Sequence, residues 1–430
     1  MKAIVGVLSV VSSVLVLQTA SGGTWYVAPP PLGNNKNPGT EEHPFAAIQR
    51  GIDAAKDGDT VIIAQGTYVE NINFKGKNIT VTSANSLDWN VVANTVIDGN
   101  KAGSVVTFVG TEDETCVLSG FTIRNGRAFV GGGILGAGSM VVPTGATIQN
   151  NMVIGNHAYG GGDYGGCGGI WGCAGRLENN IIAGNSADEW GGGVGGMEGV
   201  MVSCLIIGNS AFNDAGVGWS HGTFQNCTIC WNRAGNHGGG IAHYNPPIQN
   251  CIIWGNTAPS GPQFYDISST PTYSCIEGWT GGGGGNITAN PQFVDPDGPD
   301  DDPNTLEDND YRLLLTSRCI DAGINEDWMN GAVDLDGNPR ILLGATSLTV
   351  DMGAYEYRFD LAIGRNTESN VGLSWTMRPQ RSYTVFSSSD MILPPWAEET
   401  TILGGKTGGP ASWIDPSASS ALKFYKIAIE

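Results

Sequence analysis

A short apolar segment recurs seven times between residues 120 and 276, and it constrains the fold of this 430-residue chain more than any other feature. The copies are GFTI at 120–123, NMVI at 151–154, NIIA at 180–183, CLII at 204–207, CTIC at 227–230, CIIW at 251–254 and CI at 275–276. The later copies have a period of about 24 residues, which is typical of solenoids. Because the segments are short, rich in Ile and Val and separated by glycine and polar clusters, we predict strands. One strand class per turn, stacked in register, gives a parallel β-helix.

Two columns of side chains are predicted from this register. An asparagine follows most segments, and stacked asparagine amides satisfy polar groups of the turns above and below. The predicted ladder consists of Asn125, Asn156, Asn185, Asn209, Asn232 and Asn256. A column of small buried thiols is predicted at Cys204, Cys227, Cys251 and Cys275, and a metal or redox site is its alternative interpretation. Cys167 and Cys173, close together in a glycine-rich loop, are the only plausible local disulfide pair.

The charge balance excludes one class of partner. The formal net charge is −20, from 41 acidic and 21 basic residues. Such a chain has no basic face that could displace counterions, which excludes nucleic acid. Lys2 and the apolar stretch at 3–17 are typical of a secretory signal peptide, assigned to residues 1–22, and no later segment is apolar enough to span a membrane. We therefore expect a secreted or cell-surface protein with no membrane span in the mature chain.

Residues 24–65 have the pattern of a cap on the first turn. TWYV at 24–27 is predicted to be a strand, and a short helix is predicted to start near Pro44. Phe45, Ile48, Ile52 and Ala55 share one face at helical spacing. An amphipathic helix over the open end shields the first strands from edge pairing.

Two sets of motifs carry a resemblance to known proteins. DTVII at 59–63 and GTYVE at 66–70 resemble the opening of secreted right-handed β-helix proteins of the pectin-lyase-like superfamily. The second set resembles the choice-of-anchor Q terminus of bacterial surface and secreted proteins. It consists of NPQFVD at 290–295, DYRL at 310–313, CIDAG at 319–323, DLDGNPRI at 334–341 and DMGAYE at 351–356. Together the resemblances imply export and a right-handed parallel β-helix over residues 23–357, including an N-terminal cap and an Asp-rich terminus. Neither carries a catalytic residue.

Residues 358–430 are predicted to form a separate module. VGLSW at 371–375, SYTVF at 382–386 and KFYKI at 423–427 alternate apolar and polar residues, as half-buried antiparallel strands do. We expect a small β-sandwich, similar to fibronectin-like or immunoglobulin-like modules. Docking or carbohydrate contact is one interpretation of its role, and a spacer that caps the solenoid is the other.

Glycine runs that align in successive turns mark a candidate functional face. They are GGGI at 131–134, GGI at 168–170, GGGV at 191–194, AGV at 215–217 and GGGI at 238–241. Tight corners explain the glycines themselves, but acids, imidazoles and aromatic rings flank them. Aromatic rings stack on pyranose faces, and carboxylates and imidazoles bond to hydroxyls. The predicted substrate-binding residues are Trp171, Trp190, Trp219, His221, His243 and Tyr244. Large residues that merely cover neighbouring turns are the alternative.

The same face supplies the candidate catalytic residues Glu189, Asp214, Arg233 and His237. A uronate lyase needs a base, for which Arg233 is the candidate, and a cation to neutralise the carboxylate. A glycosidase needs two carboxylates, which Glu189 and Asp214 in adjacent turns could supply. His221, His237 and His243 could instead bind a transition metal, although no CxxC or HxxxH spacing supports it.

Calcium is the one cofactor suggested by the sequence. Hard oxygen ligands are concentrated at Asp295, Asp297 and Asp300, and Asp334 and Asp336 flank another turn. The spacing is not that of an EF-hand, and a solvated acidic loop is the alternative.

These patterns favour a secreted β-helix protein that binds, and in the stronger form of the hypothesis processes, extracellular polysaccharide or a cell-surface glycan. The alternatives are a polysaccharide lyase or glycoside hydrolase acting on the outer face, and a non-catalytic adhesin or surface structural protein.

Overall fold

The computed structural model describes residues 22–136, 142–160, 166–300, 308–341 and 349–357, together with six strands of the C-terminal module. The predicted signal peptide at 1–22 lies, apart from its last residue, outside the described residues. The predicted module boundary at 357–358 adjoins residues 358–360, which also lie outside them.

The main body is a parallel β-helix with up to four strand positions per turn, numbered here sheets 1 to 4 in the order in which the chain passes through them in a complete turn. Sheet 1 consists of Thr24–Val27, Thr60–Ile63, Thr80–Ser83, Val117–Ser119, Thr147–Gln149, Arg176–Glu178, Val200–Val202, Thr223–Gln225 and Ile248–Gln249. Sheet 2 consists of Gly66–Val69, Thr95–Asp98, Thr122–Arg124, Met152–Ile154, Ile181–Ala183, Leu205–Ile207, Thr228–Cys230, Ile252–Trp254 and Cys275–Ile276.

The other two sheets close the coil. Sheet 3 consists of Arg127–Ala128, His157–Ala158, Ser186–Ala187, Ser210–Asn213 and Arg233–His237. Sheet 4 consists of Ile72–Asn73, Val106–Thr107, Ile134–Leu135, Ile170–Cys173, Val194–Met197, Val217–Gly218, Ile241–Ala242 and Phe264–Tyr265. The all-β, parallel β-helix prediction is confirmed. The expectation of one strand class per turn is wrong, because the seven repeated segments form sheet 2 alone.

The core consists of apolar columns that run along the solenoid axis. The inward column of sheet 2 is fully buried and contains Ile123, Val153, Ile182, Ile206, Ile229, Ile253 and Ile276. Each turn buries its apolar side chains only against the turns above and below, so the repeats stabilise one another.

The predicted cap is present at the N-terminal end. A helix spans Ile48–Ala54, and Phe45, Ile48, Ile52 and Ala55 are all buried against the first turn. A second helix, Trp89–Asn94, was not predicted, although Asp88 is a typical N-cap whose side chain accepts a hydrogen bond from the backbone N–H of Asn90.

The asparagine ladder is confirmed from Asn156 to Asn256. From Asn156 to Asn232 each Nδ2 donates to the asparagine Oδ1 of the next turn, over 3.0 Å from Asn156 to Asn185 and 2.9 Å from Asn209 to Asn232, and the Nδ2 of Asn256 donates to the Oε1 of Gln263. Asn125 does not belong to the ladder, because Gly126 occupies that position and its backbone N–H donates to the Oδ1 of Asn156. Asn125 instead adopts a left-handed backbone (φ 56°) and donates to Asp98.

The cysteine column is shorter than predicted. Cys204, Cys227 and Cys251 stack in register, but the next position is taken by Ser274, whose hydroxyl accepts a hydrogen bond from the backbone N–H of Cys251. Cys275 is therefore one residue out of that column. All nine cysteines are free and buried, so the candidate pair Cys167 and Cys173 does not form a disulfide.

The last part of the β-helix chain folds back on sheet 2. Phe293–Asp295 and Asp310–Leu313 form an antiparallel ribbon, and a 3₁₀ helix spans Asp327–Met329. Arg340 is buried and donates to the Oγ of Ser203 over 2.7 Å, which ties this segment to a turn 137 residues earlier. The backbone N–H of Ala354 donates to the Oγ1 of Thr228.

The C-terminal module contains two three-stranded antiparallel sheets, as the β-sandwich prediction requires. One pairs Leu361–Arg365, Val371–Met377 and Gly409–Ile414; the other pairs Ala397–Leu403, Ser382–Ser388 and Phe424–Ile429. Leu373 from the first sheet and Val385 from the second are buried.

Candidate functional site

Two columns of left-handed residues border sheet 4, and they generate the candidate site. The column before the sheet contains Gly131, Cys167, Gly191, Asp214, Gly238 and Gly261. The column after it contains Gly172, Gly196, Trp219, His243 and Asp266. All have positive φ, which glycine adopts freely and other residues adopt at a cost. In three consecutive turns these corners carry chemically active side chains in place of glycine.

Asp214 and two imidazoles converge at this corner. The Nδ1 of His237 lies 3.2 Å from the Oδ1 of Asp214, and the Nε2 of His243 lies 3.4 Å from its Oδ2. The Asp214 side chain is completely buried, whereas those of His237 and His243 are 12% and 19% exposed. Within this group, only the two imidazoles are therefore exposed to solvent. We call Asp214, His237 and His243 the corner cluster.

The electrostatics of the corner cluster are unusual. Burial raises the pKa of Asp214 to about 8, and the Trp219 side chain opposes part of this rise. Burial, followed by the neighbouring His243 imidazole, lowers the pKa of His237. Neither Asp214 oxygen has a hydrogen bond of acceptable geometry, and the same holds for the His237 and His243 nitrogens that face it.

Aromatic rings surround the corner cluster. Trp190 lies 5.7 Å from Trp219 in an edge-to-face arrangement and 5.5 Å from His237, measured between ring centroids. Tyr265 stacks on His237 with centroids 4.1 Å apart and an angle of 13° between the rings. Trp190 reaches this position because it pairs with Asn213 in the adjacent turn, at the point where sheet 3 shifts register.

Two further predicted binding residues extend this surface outward. His221 and Tyr244 stack at 3.8 Å, Tyr244 is 39% exposed, and the Nδ1 of His221 lies 3.0 Å from the Oε1 of Glu198. Tyr244 connects to the cluster through Trp219, whose ring centroid is 5.9 Å away. Trp190, Trp219, His221 and Tyr244 are called the aromatic face below.

Trp171 contacts the backbone of the next turn and not the rings of its predicted partners. Its half-buried ring covers the backbone of the next turn, where a Cβ added to Gly195 would lie 2.7 Å from the indole. The alternative interpretation, that a large outward residue shields its neighbours, fits Trp171.

The four predicted catalytic residues do not all meet. Asp214 and His237 do, but Arg233 lies four residues before His237 in the same strand, which is roughly 13 Å along an extended chain. Arg233 instead lines a separate open depression with Trp231 and Pro259. Glu189 is exposed and precedes Trp190, and it is outside the group of converging ligand atoms.

The acidic residues predicted to bind calcium lie far along the chain from this corner. Asp334 is buried. Its Oδ1 accepts hydrogen bonds from the backbone N–H groups of Asp336 and Asn338, and its Oδ2 accepts one from the backbone N–H of Glu356. Asp336 pairs with Arg312. Asp295, Asp297 and Asp300 do not form a converging group of three ligands within the described part of the chain. A calcium site at these residues stays a prediction.

Sequence reasoning missed Tyr265 and Asp266, which complete the corner. The Nδ1 of His243 lies 3.4 Å from the Oδ2 of Asp266. Their signal was the register of sheet 4, since Ala242 pairs with Tyr265 and thus places Asp266 beside His243.

Comparisons with known proteins cover the chain unevenly. The sequence model of a family described as a protein of unknown function, DUF1565, matches residues 32–75, which include most of the N-terminal cap and the first strands after it. The uncharacterized protein YwoF of Bacillus subtilis (strain 168) is 29% identical over 108 residues, which are 25% of this chain and 18% of that protein. This chain therefore matches less than a fifth of that relative's length.

Two solved structures have low similarity scores. Pectate lyase Pel9A has a TM-score of 0.39 and 14% sequence identity, covering 79% of this chain and 97% of its own. XylC, solved in complex with xylose, has a TM-score of 0.24 and 11% identity, covering 94% and 100%. These similarities assign no activity to this chain, so its function must be argued from the site.

Proposed function

We propose that this protein is a secreted or surface-exposed β-helix that binds extracellular polysaccharide or a cell-surface glycan on the aromatic face. The single observation that carries the proposal is the convergence of Trp190 and Trp219 over the corner cluster. Rings beside a carboxylate and imidazoles offer both the apolar surface and the hydrogen-bonding groups that a pyranose requires.

Two further features support it. The rings come from successive turns, so they are repeated along the solenoid as sugar units are along a polysaccharide. The net charge of −20 favours a neutral glycan over a uronate-rich one, because like charges repel. Within the described residues, no helix is long and apolar enough to cross a membrane.

The experiment measures binding of the full chain to a panel of neutral and acidic polysaccharides by affinity gel electrophoresis and calorimetry. A lost ring–sugar stack is worth about 1–1.5 kcal/mol, so Trp190→Ala and Tyr244→Ala should each weaken binding about tenfold. Tyr159→Ala is the matched control, because Tyr159 is 45% exposed, comparable to Tyr244, but its ring contacts Phe129 and not a ring of the aromatic face.

Two results would contradict the proposal. One is the absence of binding across the panel. The other is binding that Trp190→Ala and Tyr244→Ala leave at the strength shown by Tyr159→Ala, since the ligand would then contact another surface.

Cleavage of the bound glycan is the second candidate function. It is favoured by the contact between Asp214 and His237, two of the four predicted catalytic residues. Release of reducing ends or of unsaturated products from the same panel, lost in His237→Gln, would establish it. Binding without product release would leave a binding protein or adhesin.

A further inference from the structure

We propose that the corner cluster binds one divalent transition-metal ion, held by the carboxylate of Asp214 and the imidazoles of His237 and His243. Each residue offers one ligand atom, and these three atoms lie within 4.8 Å of one another. An ion about 2.1 Å from each ligand in tetrahedral geometry keeps neighbouring ligand atoms ~3.4 Å apart. Each imidazole nitrogen lies at about this distance from one oxygen of Asp214, His237 Nδ1 at 3.2 Å from Oδ1 and His243 Nε2 at 3.4 Å from Oδ2.

Unpaired buried atoms are the second, independent observation. Both oxygens of the fully buried Asp214 and the facing nitrogens of His237 and His243 lack a hydrogen bond of acceptable geometry. Buried polar atoms without partners are rare in folded proteins and cost stability. Four such atoms that face one another are accounted for together by one cation between them.

The backbone indicates the same site. Asp214 has φ 57° between turns that carry glycine at this position, and His243 has φ 59° in a column whose earlier turns carry Gly172 and Gly196. The glycine after Asp214 in the column, Gly238, leaves room for the carboxylate, since a Cβ there would lie 2.7 Å from the Asp214 Oδ1. Non-glycine residues held in this conformation concentrate at functional sites.

The ligand set identifies the class of metal. Two imidazoles and one carboxylate suit zinc and neighbouring first-row ions, whereas calcium and magnesium prefer oxygen ligands alone. Asp266 lies against the Nδ1 of His243, on the side of the ring away from Asp214, which is the carboxylate–histidine arrangement that orients a metal ligand. Asp214 and Asp266 together balance the charge of a divalent ion.

Three protein ligands leave a coordination position for water or a substrate oxygen. Trp190 is tilted over both imidazoles at 5.5 Å and 6.0 Å, so a ligand on the aromatic face lies next to the cluster. The inference goes beyond the proposed function and does not depend on it, because metal binding is measured without any glycan.

The test uses the full chain, freed of metal with a chelator and titrated with Zn²⁺ against a competing chromophoric chelator. We expect one ion per chain, with affinity reduced at least 100-fold in Asp214→Gly and His243→Gln. Asp214→Gly keeps the corner foldable because the column carries glycine in the turns before and after. Asp266→Asn should weaken binding 10–100-fold, as loss of an orienting partner does.

His157→Gln is the matched control. His157 also lies beside an aspartate, with its Nε2 3.5 Å from Asp188, but it has no second imidazole in a converging group within the described residues. Its affinity should equal that of the wild type. A Co²⁺ titration adds a readout of geometry, since cobalt bound in a tetrahedral site has strong visible absorption.

Absence of stoichiometric Zn²⁺ binding by the metal-free wild type would overturn the inference. So would binding that survives both Asp214→Gly and His243→Gln. Glycan binding measured with and without Zn²⁺ separates the two proposals, because either can fail while the other holds.

Discussion

The asparagine ladder allows a quantitative prediction, since each amide has known partners. In Asn209→Ala the backbone N–H of Asn185 loses its acceptor at 2.9 Å, and the Asn185 Nδ2 loses a contact at 3.0 Å. The Asn209 Nδ2 no longer reaches the carbonyl of Ile182 or the Oδ1 of Asn232, both at 2.9 Å. All of these groups are buried.

The expected cost follows from which partners remain. The Asn185 Nδ2 keeps the carbonyl of Val153, and the Asn232 Oδ1 keeps the backbone N–H of residue 209. The backbone N–H of Asn185 is left without a partner, which costs about 1–3 kcal/mol, and the other lost bonds add about 1 kcal/mol. We expect Asn209→Ala to lower the free energy of unfolding by about 3 kcal/mol.

The assay is urea unfolding of the full chain, followed by far-UV circular dichroism and tryptophan fluorescence and compared at matched slopes. Asn71→Ala is the control, because the exposed Asn71 makes one side-chain bond, to the carbonyl of Ser104, and its loss should cost less than about 1 kcal/mol. A cost for Asn209→Ala no larger than that of Asn71→Ala would refute the reasoning, since a buried amide would then be worth no more than a solvated one.

Three further predictions address the rest of the fold. The nine buried thiols, among which burial raises the pKa of Cys167, Cys173 and Cys230, should be unreactive to a thiol reagent in the native state and all react in denaturant. Arg340→Met should destabilise the protein by about 3–5 kcal/mol in a urea titration because it leaves Glu356 buried without its cation, whereas the exposed Arg318→Met should not. The Trp25 indole N–H and two backbone N–H groups lower the pKa of Asp59. Its contribution to stability is present above the unfolded pKa near 4 and lost as the pH falls through the lower folded value, so the wild-type melting temperature should fall more steeply in acid than that of Asp59→Asn.

The solenoid could be predicted because apolar residues recur in the sequence at the regular spacing of its turns. The predicted side-chain columns were wrong at single positions where a second residue type can occupy the same place in the turn. Asn125 follows its apolar segment at the same offset as the ladder asparagines, but that segment is shifted by one residue, so Asn125 adopts a left-handed turn opposite Gly155. Cys275 was placed one residue early because the hydroxyl of Ser274 replaces the thiol in the column.

The site was predictable only in part for a similar reason. Aromatic and ionisable residues beside the glycine runs indicated the right corner, and Asp214, His237 and His243 were all among the candidates. Their grouping was not predictable, because His221 is close to them in sequence but points to Glu198, whereas Asp214 takes its place among the converging ligands. Which side of a corner a residue occupies depends on backbone dihedrals that sequence spacing does not reveal.

The corner before sheet 4 shows which residues the fold requires at this position and how Asp214 differs from them. Glycine occupies four of the six positions in the column before sheet 4. A fifth is Cys167, whose thiol donates to the carbonyls of Ile170 and Gly193. Asp214 instead combines a left-handed backbone with a buried carboxylate that has no hydrogen bond of acceptable geometry. Each of these features costs of the order of 1–3 kcal/mol, and the adjacent turns show that the coil closes without them. The left-handed backbone and the buried carboxylate of Asp214 destabilise this corner without benefit to the fold, and a bound ligand explains why they are present. The two imidazoles facing Asp214 indicate that this ligand is a cation.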